Sequence, residues 1–441
     1  MEKIDLINVK NKILGDKAKN LIPGGAHTYS KGYDQFPSNA PQIIDRGLGC
    51  KLWDVDGNEY LDFAMSLGSV LLGHAYPPVL DAVRNELGRG VNFARPSVIE
   101  AELAELLVEI IPCAEMVKFA KNGSDAMTAA VKLARAYTNR KYVARCSSDP
   151  FNAVHDWFIG STVMNRGVPE EVQKLTLSFD YNDIGSVQAL IDKYPGEIAC
   201  ILLEPISIIA PVDGFLEKLK ALCEANGIVL IFDEVVSGFR FALGGVQELT
   251  GVVPHLAAFG KGMANGFSVS ALVGSREIMS LGGIEHDQER VFLLSTTHGG
   301  ETHSLAASIA TIGEMRRLNA SQHYYEIGGR LKRGIRAVAE SVGAEAFIDV
   351  PGFDCKPIII INGPDGAPNY LIRTLYLQET IARGLLIPYV IPSIAHTYED
   401  VDKAVEIIGD ALTVIKQAVD DDRLEEAVHG ACVKPVFRKY N

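Results

Sequence analysis

The sequence has few cysteines, and their spacing does not indicate a shared metal site. Seven cysteines are spread over 441 residues, an odd number without a CxxC pair of the kind that holds zinc. We interpret them as reduced core residues. The sequence also lacks a run of about 18 apolar residues that could span a membrane, and its charged N-terminus differs from a secretory signal. These absences predict a cytoplasmic protein without a membrane partner.

Positive charge is also scarce. The chain has 42 Lys and Arg against 55 Asp and Glu, a formal net charge of -13, so it lacks the basic surface that nucleic acids require. No GxGxxG turn follows a strand pattern, which argues against a dinucleotide-dependent oxidoreductase. The remaining composition, 47% apolar and 22% charged, is typical of a globular protein. Small molecules are therefore the expected partners.

Helix and strand patterns alternate through the middle of the chain. Amphipathic segments such as EAELAELLVEII are followed by short apolar runs, MVKFA, IACILLE and IVLIFDE, which we interpret as parallel strands buried on both faces. This alternation predicts an α/β fold with a large, doubly wound, mostly parallel sheet. We expect a large domain over 65–320 and a smaller α/β domain formed from 1–64 and 321–441.

The terminal segments have other patterns. KLWDVDGNEYLDFA predicts a β-hairpin with a two-residue type I′ turn at Asp56-Gly57. This hairpin is an antiparallel element that precedes the main sheet. Beyond residue 320, helical segments surround one strong strand candidate, KPIIIIN.

A first candidate for chemistry is the segment FAKNGSDAMTAAV, where a predicted strand ends and a helix begins. The free N–H groups and the positive dipole end of that helix favour a phosphate, which Gly123 allows to approach closely. Ser124 can donate its hydroxyl group, and Asn122 precedes both residues. Structural capping by Ser124 or Asp125 is the more common explanation of such a turn, so the segment alone leaves both open.

Two further candidates follow later strands. Asp233 ends the apolar run in IVLIFDE, and a buried carboxylate needs a partner: a protonated pyridine nitrogen, a metal ion or Arg240. Lys261 lies between two glycines, so its amine is unobstructed and would suit a Schiff base if its pKa were lowered. Taken alone, it also fits an exposed loop lysine.

The three candidates occur along the chain in the order phosphate segment, aspartate and lysine, each at a strand end, and together they resemble the class III aminotransferases. The resemblance covers about residues 20–415. The resemblance implies the fold-type I architecture, pyridoxal 5′-phosphate (PLP) as the cofactor, and a homodimer with shared active sites. By position, Lys261 matches the catalytic lysine that binds the cofactor as a Schiff base, and Asp233 matches the partner of the pyridine nitrogen. The implied cofactor site also includes Asn122, Gly123, Ser124, Phe151, Glu204, Val235 and, toward the neighbouring subunit, Thr297.

Other positions depart from the family pattern. Where the family usually has Tyr-His-Gly, this chain has Phe151-Asn152-Ala153, so a phenol and an imidazole are missing. PGGAHTYSKG is similar to the start of the glutamate-1-semialdehyde aminomutase branch, with Lys31 in place of a carboxylate-binding arginine and Leu67 in place of a tryptophan. An anionic substrate in a wider pocket is implied. For His74, in a Gly-His segment, a structural and a functional role remain equally open.

The resemblance implies ping-pong transfer of an amino group from glutamate to a carbonyl group. PGGAHTYSKG, HDWFIG and STTHGGETHS together resemble members that aminate keto-sugars or sugar acids, such as an octulosonate of lipopolysaccharide. An aminomutase, which uses the same residues without an external donor, is the nearest alternative. A second alternative is a non-catalytic binding protein of this fold, against which the presence of both Lys261 and Asp233 argues. No metal is expected.

Overall fold

The computed structural model describes residues 8–149 and 154–440, which divide into two compact units. The larger unit takes residues 77–321 together with Lys439 and Tyr440, which we expect in the smaller domain, and the smaller unit takes the N-terminal residues up to Tyr76 together with Gln322–Arg438. The segment 65–76, which we assigned to the large domain, therefore lies in the smaller unit. No helix in the described ranges combines the length and apolar character needed to cross a membrane.

One sheet organises the larger unit. Its seven strands follow the order β4-β10-β9-β8-β7-β5-β6, where β4 is Met116–Ala120, β5 Tyr142–Cys146, β6 Thr176–Phe179, β7 Ile198–Leu203, β8 Val229–Asp233, β9 Leu256–Phe259 and β10 Ser270–Gly274. The strands from β9 to β6 pair in parallel, whereas β10 is antiparallel to both of its neighbours. This arrangement confirms the predicted α/β fold with a mostly parallel sheet.

The strand patterns were interpreted correctly for the centre of the sheet but not for its edge. Every residue of β7 and β8 is buried, as their continuous apolar runs predict. The segment MVKFA forms the edge strand β4 instead, because it pairs only with β10 and leaves Lys118 exposed. A lysine on an edge strand disfavours pairing with another chain.

The helices of the larger unit are amphipathic or, near the sheet, rich in alanine. Helix α5 packs on β7, β9 and β10 through small buried residues, which allow a close approach to the sheet. The helices are α3 Pro77–Leu87, α4 Val98–Ile110, α5 Gly123–Thr138, α6 Asp156–Ile159, α7 Glu170–Gln173, α8 Ile184–Lys193, α9 Phe215–Ala225, α10 Val246–Thr250, α11 Arg276–Met279 and α12 Thr302–Arg317.

The smaller unit has its own sheet and core. Strands β1 (Ile44–Leu48), β2 (Lys51–Asp54), β3 (Glu59–Asp62) and β13 (Leu385–Leu386) form a four-stranded sheet in that order, and β11 (Ile348–Asp349) pairs with β12 (Ile360–Ile361). Long apolar helix faces cover a continuous core of this unit. The helices are α1 Val9–Leu21, the single turn α2 Met65–Gly68, α13 Ala320–Ser341, α14 Tyr370–Ala382, α15 Tyr398–Asp420 and α16 Leu424–Ala427.

Two predictions for this unit need correction. Strands β2 and β3 form the expected hairpin, but only Gly57 has a positive φ, 91°, whereas a type I′ turn needs one at Asp56 as well. Asp56 instead accepts the N–H groups of Lys10 and Asn11 in α1. Of KPIIIIN, only Ile360–Ile361 forms a strand, β12, which pairs with β11.

Candidate active site

Four functional side chains follow four neighbouring strands of the large sheet. Lys261 lies just after β9, Asp233 ends β8, Glu204 follows β7, and Asp149 comes three residues after β5. These strands are adjacent in the order β9-β8-β7-β5 and run parallel, so their carboxyl ends share one edge. Neighbouring strands are about 4.8 Å apart. The sheet therefore gathers one amine and three carboxyl groups.

The three carboxyl groups are almost completely buried. Asp149, Glu204 and Asp233 are 5%, 6% and 5% exposed, respectively. Burial and the nearby Glu204 raise the pKa of Asp233 well above its ordinary value, whereas Lys261 acts to lower it. Asp149 adds a further negative charge and accepts the Glu204 N–H at 2.9 Å. The buried Arg145 interacts electrostatically with Asp149, so the cations acting on these acids include Arg145 as well as Lys261.

Lys261 has an unusual backbone conformation. It begins a short 3₁₀ helix, Lys261–Ala264, and has a φ of 44°, in the left-handed region that costs a non-glycine residue about 1 kcal/mol or more. The turn is held from α12, because the Ser308 hydroxyl donates to the Met263 carbonyl at 3.0 Å. Backbone strain that neighbouring elements maintain is typical of functional sites.

The predicted phosphate segment lies at the N-terminus of α5. Asn122 is the N-cap, and its side-chain oxygen accepts the Asp125 N–H at 3.0 Å. The residue that caps the helix is therefore Asn122, and not Ser124 or Asp125 as the capping alternative proposed. This bond leaves the N–H groups of Gly123 and Ser124 in the first turn without an intrahelical acceptor, which is the arrangement that binds phosphates at helix N-termini. Both interpretations of the segment are therefore compatible.

Gly123 and Val235 join this helix end to the strand that carries Asp233. A Cβ atom on Gly123 would lie 2.7 Å from Cγ2 of Val235, so only glycine allows this approach. The N–H of Val235 donates to Asp233 at 3.1 Å. Val235 thus lies between the anion-binding helix end and the buried carboxylate.

Thr297 and Phe151 are the remaining residues of the predicted cofactor site. Thr297 lies on an exposed turn, where its carbonyl accepts the Asn92 side-chain amide at 2.8 Å. Phe151 lies outside the described residues.

The two predicted substrate residues both line a cavity of about 790 Å³ in the smaller unit. Lys31 ends a 3₁₀ turn, Tyr29–Lys31, and Leu67 belongs to α2. All four residues of α2 have positive φ, from 39° at Met65 to 85° at Gly68, so the turn is left-handed. Three non-glycine residues in this conformation cost several kcal/mol, roughly 1–2 each.

Sequence reasoning missed two of the acids that the structure brings into these sites. Asp149 follows β5 as Glu204 follows β7, and the repeated pattern of an acid after a buried strand was the available signal. Asp62 ends β3 in the smaller unit, 1% exposed, and contacts His74. Nothing in the local sequence distinguishes Asp62 from an exposed strand residue.

A mostly parallel sheet with these groups at its carboxyl edge defines a PLP-dependent transferase of fold type I. The family model of the class-III aminotransferases matches residues 32–412, and the chain belongs to that family. It is 34% identical to glutamate-1-semialdehyde 2,1-aminomutase of Thermus thermophilus, over 90% of this chain and 97% of the relative. It is 32% identical to 3-aminobutyryl-CoA aminotransferase of Cloacimonas acidaminovorans, over 94% and 99%.

Solved structures agree with this assignment. The PLP form of the FumI protein of Sphingopyxis sp. MTA144 superimposes with a TM-score of 0.84 at 26% identity, covering 93% of this chain and 97% of that one. The chain is therefore a PLP-dependent transaminase, and PLP is its cofactor. The residues described above fit this group, because the buried carboxylate of Asp233 suits a protonated pyridine nitrogen and the N-terminus of α5 suits a dianion.

Proposed function

We propose that this transaminase moves an amino group from glutamate to the carbonyl of a keto-sugar or sugar acid by a ping-pong mechanism, with Lys261 as its catalytic lysine. The observation that carries the proposal is the placement of Lys261 and the buried Asp233 at adjacent strand ends, where Lys261 acts to lower the pKa of the Asp233 carboxyl. A working homodimer, in which Thr297 serves the neighbouring copy, belongs to the same proposal.

Each residue has a defined role in this proposal. Bound PLP supplies an electron sink for the pair of electrons released when a substrate Cα–H bond breaks. Asp233 keeps the pyridine nitrogen protonated, and Glu204 adds to the negative potential around it. Lys261 would hold the cofactor covalently through its amine and, once the substrate amine has replaced it there, its freed amine would accept the Cα proton and return it. The remaining cofactor contacts are the N–H groups of Gly123 and Ser124 with the Asn122 cap for the phosphate, and Val235 with Phe151 for the ring.

The substrate part of the proposal rests on the smaller unit. Lys31 supplies a point charge for a carboxylate, and Leu67 is smaller than the tryptophan of the aminomutase branch. Their shared cavity of about 790 Å³ has ample room for a substrate of eight carbons. An acidic, extended acceptor such as a sugar acid fits these features.

The first test concerns Lys261. We expect Lys261→Ala to abolish the visible absorbance of the lysine-bound cofactor and to reduce turnover at least a thousandfold, because no other group is proposed to move the Cα proton. Lys174→Ala, a change at the exposed C-cap of α7, serves as the control and should leave both unchanged. A visible band that survives in Lys261→Ala would contradict the assignment.

The second test concerns the reaction. Glutamate alone should convert the cofactor of the purified protein to its amino form, which is followed by absorbance, and a keto-sugar acid should then restore the original spectrum. A glutamate-1-semialdehyde aminomutase, which the 34% identical relative favours, would instead rearrange its substrate with no external donor. Conversion by no common amino acid would refute the transaminase mechanism proposed here.

A further inference from the structure

The cavity of the smaller unit has an excess of positive charge. Its lining includes the cations Lys31 and Arg46, for which the described residues provide no ion pair. Of the lining acids, Asp34 is paired with Arg438 at 2.6 Å, and Asp62 is saturated by its own donors. The cavity therefore favours an anionic ligand.

Asp62 holds His74 in one orientation. One carboxylate oxygen of Asp62 accepts the N–H groups of Ala64 and Met65 at 2.8 and 3.2 Å, and the other lies 3.0 Å from Nε2 of His74. A carboxylate only accepts hydrogen bonds, so Nε2 must carry the proton that it donates. In neutral His74, Nδ1 is then an acceptor.

The surroundings of His74 also fix its position. Its main chain exchanges two hydrogen bonds with Gly49, at 2.8 and 3.0 Å. A Cβ atom on Gly47 would lie 2.7 Å from Cγ of the His74 ring, so glycine is required beside it. The ring is 17% exposed and lines the cavity, and no hydrogen bond of the described residues engages Nδ1. A fixed, accessible acceptor is the kind of group that recognises a ligand.

Other hydroxyl-binding groups line the same cavity. They are the hydroxyl groups of Ser30, Tyr389 and Ser66, the last of which belongs to the left-handed turn α2. We propose that Nδ1 of His74, oriented by Asp62, accepts a hydrogen bond from a hydroxyl group of a polyhydroxylated carboxylic acid, whose carboxylate is bound by Lys31 and Arg46. This inference rests on the substrate class of the proposed function and assigns the residue that distinguishes a hydroxylated acid from a plain one.

The test compares gluconate with hexanoate, two six-carbon acids that differ in hydroxyl groups. Binding to the PLP-loaded protein is measured by calorimetry, which needs no turnover. His74→Gln keeps an amide near Nε2 for Asp62 but has no counterpart of Nδ1. We expect it to weaken gluconate binding about tenfold, with hexanoate unchanged. Lys31→Gln and Arg46→Gln should weaken both acids equally.

A second variant separates recognition from folding. His74→Asn places an amide near Nδ1 but loses the bond to Asp62, so it should keep more gluconate affinity than His74→Gln while unfolding at a lower temperature. Equal gluconate affinity in His74→Gln and the wild type, or no gluconate binding by the wild type, would overturn the inference. If gluconate binding depends on His74 but no sugar acid is aminated, the proposed function fails and this site remains.

Discussion

Gly123 and Val235 belong to different elements but occupy one small space. In Gly123→Ala the new methyl group would lie 2.7 Å from Val235, which must move away from its place beside Asp233. We expect a loss of about 1–3 kcal/mol in unfolding free energy. PLP affinity, followed by absorbance titration, should fall about tenfold or more.

Two controls test this explanation. The double variant Gly123→Ala/Val235→Ala should recover part of both losses, because the second change makes room for the methyl group. Gly313→Ala in α12, where a Cβ atom meets nothing within 4 Å, should retain affinity and be slightly more stable. Equal losses in the single and double variants would show that the contact is unimportant.

Asp149 should influence the charge state of the cofactor site although no reaction step is assigned to it. Asp149→Asn can still accept the Glu204 N–H but removes one buried negative charge that acts on Asp233. A positive charge in the site becomes less stable, so the pH of the spectral transition of the loaded protein should fall by roughly one unit. Asp180→Asn, which changes an exposed acid after β6, should leave that transition unchanged.

At the scale of elements, the contribution of the Asn122 cap to the stability of α5 can be tested separately from the proposed phosphate binding at the same helix end. Asn122→Ala removes the bond to the Asp125 N–H and should lower the unfolding free energy by about 1 kcal/mol. Asn369→Ala at the start of α14 removes an equivalent 3.0 Å bond and should cost about the same. Only Asn122→Ala should also accelerate PLP release, and equal release rates would contradict the phosphate assignment.

The elements that sequence patterns predicted best are those whose burial is uniform. β7 and β8 follow directly from the continuous apolar runs IACILLE and IVLIFDE. The edge position of MVKFA and the short β12 could not be derived, because pairing partners distant in sequence decide them. The hairpin turn was wrong for a similar reason, since Asp56 is recruited by α1.

At the scale of the whole molecule, one buried acid should make stability depend on pH. Glu234 accepts the N–H groups of Val246 and Gln247 in α10, and burial raises its pKa from 4.5 to about 7. As pH rises, the folded state therefore keeps the Glu234 proton up to a higher pH than the unfolded state does. The stability gained from this proton is complete below pH 4.5 and is lost as pH rises through 7, on the order of 3 kcal/mol.

Unfolding in urea at several pH values checks this expectation. The difference in unfolding free energy between the wild type and Glu234→Gln should change in favour of the variant as pH rises from 5 to 8. Asp233 is present in both proteins, so its own titration cancels. A difference that stays constant with pH would show that Glu234 is ionised throughout.

Residues of the candidate site could be predicted from sequence where a local pattern marks them, and could not where contacts between distant segments bring them together. Lys261, Asp233 and the Asn122 turn each follow a recognisable strand, and their order along the chain indicated one site. Lys31 and Leu67 came from resemblance alone, although the structure brings both to one cavity. The pairing of His74 with Asp62 depends on how strands β1 to β3 fold together, which no local pattern describes.

The left-handed turn α2 has a consequence for protein engineering. Leu67 has a φ of 59° and lines the cavity, so any replacement alters both the cavity and the conformational cost of the main chain. Glycine or asparagine would relieve strain while enlarging the cavity, whereas a β-branched residue would add strain at similar volume. When position 67 is varied in a library to broaden the substrate range, glycine and asparagine should therefore be enriched among the stable variants.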